Sequence, residues 1–152
     1  MNRYGTMEVC MKKIPFVIVS IALTVFSVNQ VFAEKIFTVR DVKGRYVFSF
    51  QGELVGVAVI AATGVLQADG NGKITHGVRM ISVNGVPFTT SFSCTIIVFP
   101  NGTGSADCPS DNPAPGFPPV ESFNFVLHQD GRGFKFIATT AGAVVLGSGE
   151  RQ

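Results

Sequence analysis

Beyond residue 43 the chain alternates apolar and polar side chains with a period of two, and glycine-bearing turn pairs interrupt the alternation at short intervals. Tyr46, Phe48 and Phe50 share one face against Ser49 and Gln51. Phe88, Phe92, Cys94, Ile96 and Val98 stand against Thr89, Ser91, Ser93 and Thr95. Glu121, Phe123, Phe125 and Leu127 alternate with Ser122, Asn124 and His128, and Phe134 and Phe136 flank Lys135. Successive side chains of a strand point to opposite faces, so this is the pattern of half-buried strands, and no helical stripe competes with it. Asp69-Gly70-Asn71-Gly72, Asn84-Gly85, Asn101-Gly102 and Asp130-Gly131 supply residues that tolerate the positive φ of tight hairpins.

The punctuation predicts an all-β fold of about eight strands, near 44–51, 54–68, 73–83, 86–99, 103–109, 120–129, 133–140 and 143–150. Short hairpins favour antiparallel neighbours. A sheet of this length with one apolar face hides its edges by closing, so a small antiparallel barrel is expected, with a β-sandwich as the alternative. Segment 54–66 is apolar on both faces, which calls for a second layer, a long loop or a partner chain against one of them.

One hairpin fixes a register. With Pro100-Asn101-Gly102 as a three-residue loop, Phe99 faces Thr103, and counting down both strands brings Cys94 opposite Cys108. Residues so paired have Cα atoms roughly 4.5–5.5 Å apart, within reach of a disulfide. A bridge here contributes on the order of 3 kcal/mol through loop closure.

Residues 11–33 have the make-up of a secretory signal peptide. Lys12 and Lys13 precede an uncharged run from Ile14 to Val28, and Val31-Phe32-Ala33 offers small residues where a signal peptidase cuts. Met11 is the expected natural start, with Met1 to Cys10 an over-extended reading frame. The run falls short of the about 20 apolar residues that span a bilayer, so no stable membrane span is expected after cleavage. The domain division is therefore 1–33 as leader and 34–152 as a single barrel domain, secreted or periplasmic. Loss of the leader leaves nine charges of each sign, which removes any basic patch for nucleic acid. Cys94 and Cys108 then sit in an oxidising compartment, which favours their bridge over two free thiols.

Residues with catalytic potential are sparse. His76 is expected on a face with Ile74, Val78 and Met80, and His128 at the end of a polar face, a placement that suits neither catalysis nor a metal. Gly147-Ser148-Gly149 lacks the first glycine of a nucleophile elbow, with Leu146 in its place. Asp69-Gly70-Asn71-Gly72 lacks the later ligands of a calcium loop and reads as a turn. Asp107 and Asp111 read as solvated loop carboxylates. Asn101-Gly102-Thr103 fits a glycosylation sequon as well as a turn. No catalytic residue, metal or cofactor is expected.

Aromatic content is the stronger signal. Of fourteen phenylalanines only Phe16, Phe26 and Phe32 belong to the leader, and there is no tryptophan. Tyr46, Phe48, Phe50, Phe92, Phe123, Phe125, Phe134 and Phe136 are the candidates to line either a ligand cavity or a self-filled core. Pro109 to Pro119, PSDNPAPGFPP, cannot join a ladder. It is either a strap over one end of the core or a lid carrying Phe117.

Gly44-Arg45-Tyr46 on the first strand, with Arg151 after the last, resembles the calycin pattern that includes lipocalins. There an aromatic residue of the first strand packs near a basic residue from the barrel's end. Tyrosine stands here where tryptophan is usual, and no C-terminal helix follows. Gly44-x-Tyr46-x-Phe48-x-Phe50, the run Gly64 to Gly72, and Val144 to Gly147 with Arg151-Gln152 look like a group of uncharacterised secreted bacterial β-barrel proteins. That resemblance implies a fold and no activity. The expected function is a non-enzymatic exported barrel that binds a small apolar ligand or an envelope component. The alternative is a structural or interaction module without a small ligand. A barrel isomerase resembling allene oxide cyclases and a small outer-membrane barrel rank lower.

Overall fold

The computed structural model describes residues 35–152, so the expected leader lies outside the described residues. Eight antiparallel strands follow in chain order: β1 (Lys43–Leu54), β2 (Ala58–Asp69), β3 (Lys73–Val83), β4 (Val86–Val98), β5 (Thr103–Pro109), β6 (Val120–Leu127), β7 (Gly133–Ala138) and β8 (Ala143–Arg151). Each pairs with its successor, and β8 returns to pair with β1, from Tyr46 opposite Arg151 to Leu54 opposite Ala143. The sheet is thus a closed meander, which decides between barrel and sandwich.

Turn chemistry sets the hairpins. Asn84 (φ 48°) and Gly85 (φ 86°) both take positive φ between paired Val83 and Val86, the two-residue turn whose twist matches its strands. The Asp69 carboxylate accepts from the N–H groups of Asn71 (2.7 Å) and Lys73 (3.1 Å), so it is spent on the turn. The Asn101 side chain accepts from the Thr103 N–H in the same way, and Phe99 pairs with Thr103 across the expected three-residue loop. Asp107 is opposite Thr95 and Ala106 opposite Ile96, which carries the register to Cys94 and Cys108. These form a disulfide with Cα atoms 4.1 Å apart.

The interior is packed by aromatic rings seated on glycine. Phe48 stands opposite Gly64, Phe92 opposite Gly77, Phe125 opposite Gly104, Phe136 opposite Gly147 and Phe134 opposite Gly149. A methyl added at any of these glycines would strike the ring of its partner. The glycines let the rings lie against the wall, where they meet one another edge-on: Phe123 and Phe136 have centroids 5.5 Å apart at 89°, Phe50 and Phe136 6.2 Å apart at 80°. Such pairs add about 0.5–1.5 kcal/mol each beyond area burial.

Two expectations fail, and both failures matter. Segment 54–66 is not one strand: Leu54 to Val57 make the β1–β2 turn, with Val57 N–H donating to the Leu54 carbonyl. Ala58, Ile60 and Ala62 then face inward while Val59 is exposed. Of the cover expected for this segment, the long loop is found, with Gly116 of the proline-rich segment beside Leu54 and Val57, and no second layer lies on β2 among the described residues. The second failure lies in β3. Gln67 pairs with His76 but Ala68 pairs with Ile74, so Thr75 is an extra residue, a β-bulge. Past it the facing reverses. His76, Val78 and Met80 do not share Ile74's inward face; Met80 is 63% exposed, and Gly77, Arg79, Ile81 and Val83 point inward instead.

The two ends differ. At one end lie the start of β1, the end of β8 and the hairpins after Asp69, Val98 and Leu127. A 3₁₀ turn (Val39–Asp41) precedes β1 there, and the Phe37 N–H donates to the Pro100 carbonyl (3.0 Å) while its ring packs on Gly102. Arg151 lies over the Tyr46 ring (5.6 Å to the centroid), donates to the Tyr46 hydroxyl (3.1 Å) and reaches the Asp41 carbonyl (2.8 Å). Tyr46 in turn packs on Phe134, with centroids 5.7 Å apart. The other end carries the turns after Leu54, Val83 and Ala138 and the proline-rich loop.

Candidate functional site

The end that carries the proline-rich loop, the open end because two cavities meet there, holds the charged group of the interior. The bulge turns Arg79 of β3 inward, Thr90 stands opposite it on β4, and Glu121 enters from the start of β6 across the bore. Arg79, Thr90 and Glu121 are 4%, 2% and 5% exposed. Arg79 Nε donates to Thr90 Oγ1 (2.9 Å), Nη1 to Glu121 Oε2 (3.0 Å), and Nη2 to Glu121 Oε1. This two-pronged pairing matches the planar fork of guanidinium to carboxylate. Aromatic faces surround the cation, with the centroids of Phe50 and Phe92 at 5.7 Å and that of Phe117 at 5.4 Å. Removing two charges from water costs several kcal/mol per ion, which the mutual bonds, the Thr90 hydroxyl and the rings offset.

Phe117 is held by its own turn. Ala114-Pro115-Gly116-Phe117 closes through the Phe117 N–H to the Ala114 carbonyl (3.0 Å), with proline and a positive-φ glycine (φ 85°) at the central positions that a type II turn requires. The loop is anchored before that turn. Asn112 accepts from the Ser91 N–H (2.9 Å) and donates to the Thr89 carbonyl (3.2 Å), so a side-chain amide pairs with β4 beyond the end of β5. Ser110 donates to the Ser91 carbonyl (3.0 Å), and the Ser110 N–H to the Pro119 carbonyl (2.9 Å) closes the loop base. Because β5 and β6 are neighbours, the segment does not cross over other strands. It folds onto the open end, burying Ala114 and laying Phe117 over Arg79.

Two cavities meet here. The inner one, about 80 Å³, runs down the bore. Phe48, Phe50, Phe92, Phe123, Phe125, Phe134 and Phe136 border it together with Arg79 and Glu121, whereas Tyr46 sits beyond it at the sealed end. The mouth cavity, about 170 Å³, lies between the β1–β2 turn, the β7–β8 turn and the proline-rich loop; its wall includes Leu54, Val57, Phe117, Ala143 and Val145. Phe50, Glu121 and Phe123 border both. The ion pair therefore stands at the partition. Drug-sized ligands occupy roughly 300–1,000 Å³, so the bore is largely self-filled.

The other candidates are not brought together. His76 is exposed on the outer face of β3, opposite in facing to Arg79, and His128 lies over Gly133 just past the end of β6, at the other end of that strand from Glu121. The Asp107 carboxylate accepts from the Ser122 hydroxyl on the outer surface (2.6 Å). Among the described residues no group of three acidic, histidine or cysteine side chains could hold a metal ion. Reading the sequence missed Arg79 and Thr90. The signal for Glu121 was visible, since it shares the face of Phe123, Phe125 and Leu127. Comparison of the chain with protein-family models, curated proteins and solved structures gives no match.

Proposed function

We propose that this protein is a non-enzymatic exported barrel that binds a small, mainly apolar ligand at its open end. The observation that carries the reading is the mouth cavity of about 170 Å³, walled mainly by apolar side chains, with Phe117 of the proline-rich loop and the Arg79-paired Glu121 on its border. A dry cavity of about 150 Å³ suffices for benzene, so one ring fits where a long acyl chain does not. The disulfide is compatible with an oxidising compartment, as export would require. In an NMR titration, toluene should bind one-to-one and shift the amides of Gly116, Phe117 and Gly142, and Phe117→Ala, compared where it is fully folded, should weaken the affinity several-fold. Saturating toluene that leaves those amides unshifted would remove the reading.

A second reading, an interaction module, has its own support. The outer face carries an apolar groove of about 360 Å³ bordered by Phe99, Val126, Ile137 and Leu146. This reading predicts a co-purifying envelope protein and no response to Phe117→Ala.

A further inference from the structure

The chemistry of the mouth-cavity floor restricts the ligand class, an inference that rests on the binding reading above. Two polar side chains border this cavity, Glu121 and Thr140. The Thr140 hydroxyl is already engaged: it accepts from the Ser122 N–H (2.8 Å) and lies 3.4 Å from the Ser122 carbonyl. That leaves Glu121, an ionised carboxylate paired to Arg79 and so an acceptor without a proton to give. Each of its oxygens takes one bond from the guanidinium, and a carboxylate oxygen has capacity for more.

Charge decides the rest. The buried pair is neutral as a unit. An anionic ligand would meet the Glu121 carboxylate, and a cationic one would compete with Arg79 for it and strand a second positive charge beneath Phe117. Among the described side chains of the cavity wall no free counter-charge is left for either ion, since Glu121 is already neutralised by Arg79. We infer that the mouth cavity takes an uncharged single-ring molecule bearing a hydrogen-bond donor, of the phenol or aryl-amide kind, whose O–H or N–H donates to Glu121 while its ring packs against Phe117 and Phe123.

The test is a matched series on the full chain at neutral pH: phenol (a neutral donor), toluene (no donor), benzoate and benzylammonium, with Kd from NMR titration. Phenol should bind tightest, about tenfold or more ahead of toluene, as a hydrogen bond to a charged acceptor implies. The two ions should be weaker than toluene. Toluene equal to phenol, or either ion ahead of it, would overturn the ligand class and leave the binding reading standing. No binding by any of the four would overturn both. The paired variant Arg79→Met with Glu121→Leu, which removes both charges at once, should hold phenol and toluene equally; a surviving preference for phenol counts against Glu121 as acceptor.

Discussion

Each end of the barrel sets an arginine against aromatic rings, and the two arrangements do opposite things. Arg151 lies outside, spread over Tyr46 and bonded to neutral oxygens, the Tyr46 hydroxyl and the Asp41 carbonyl. It closes its end together with the Val39–Asp41 turn and Phe37, and its charge stays in water. Arg79 lies inside, 4% exposed, so it must bring a counter-charge, a hydroxyl and the faces of Phe50, Phe92 and Phe117. A seal needs only shape and a few exposed bonds. A buried charge needs complete pairing, and at the open end that pairing faces two cavities rather than solid core.

The contrast can be broken first at the open end, where the stakes are highest. Truncating one member alone, Glu121→Ala, leaves a buried guanidinium unpaired and should cost about 3–5 kcal/mol in urea denaturation, whereas the paired change to Met and Leu should cost far less. Equal losses from the single and paired variants would mean that the group is not a desolvated unit. At the sealed end Tyr46→Phe keeps the ring and removes only the hydroxyl that Arg151 donates to. A loss of about 1 kcal/mol is expected, and a loss as large as that of Glu121→Ala would erase the distinction between the ends.

The smallest effect concerns Asp41. Its slight burial raises the carboxyl pKa, but the Thr38 N–H and the Lys35 ammonium at 3.0 Å outweigh this and hold it below the ordinary 3.8. A carboxylate depressed on folding contributes stability that is present above its unfolded value and is lost as pH falls through the folded one. NMR titration should therefore give a midpoint below 3.8, and Asp41→Asn should flatten the acid limb of stability over that narrow window. A midpoint above 3.8 would show that the Lys35 and Thr38 contacts do not form.

Much of this was legible in the residues, and what was not has one cause. Alternation at Tyr46, Phe48 and Phe50 and the turn pairs at Asn84 and Asn101 specify strands and hairpins locally, and the loop at Asn101 is short enough to carry the register to Cys94 and Cys108. The inward placement of Glu121 also follows from alternation, but its partner does not. Parity counted from Ile74 puts Arg79 outside, and only the extra residue at Thr75 turns it in. Gly77 inside the strand is the one local hint of a bulge, and it does not place the extra residue at Thr75, because the bulge answers to strands β2 and β4 on either side of it. The same limit applies to the β1–β2 hairpin: Val55 and Val57 carry strand-like side chains, and Gly56 (φ 72°) is the lone sign of the turn between them.

The seating of phenylalanine on glycine makes the calibre of the bore a property of couples rather than of single residues. A larger residue at Gly77 or Gly149 collides with its ring, and a smaller one at Phe92 or Phe134 leaves a void above bare backbone. Neither half can drift alone. Descendants of this chain with a wider or narrower lumen must exchange ring and glycine together, so the covariation of opposite positions, more than the identity of either, would carry the record of the fold.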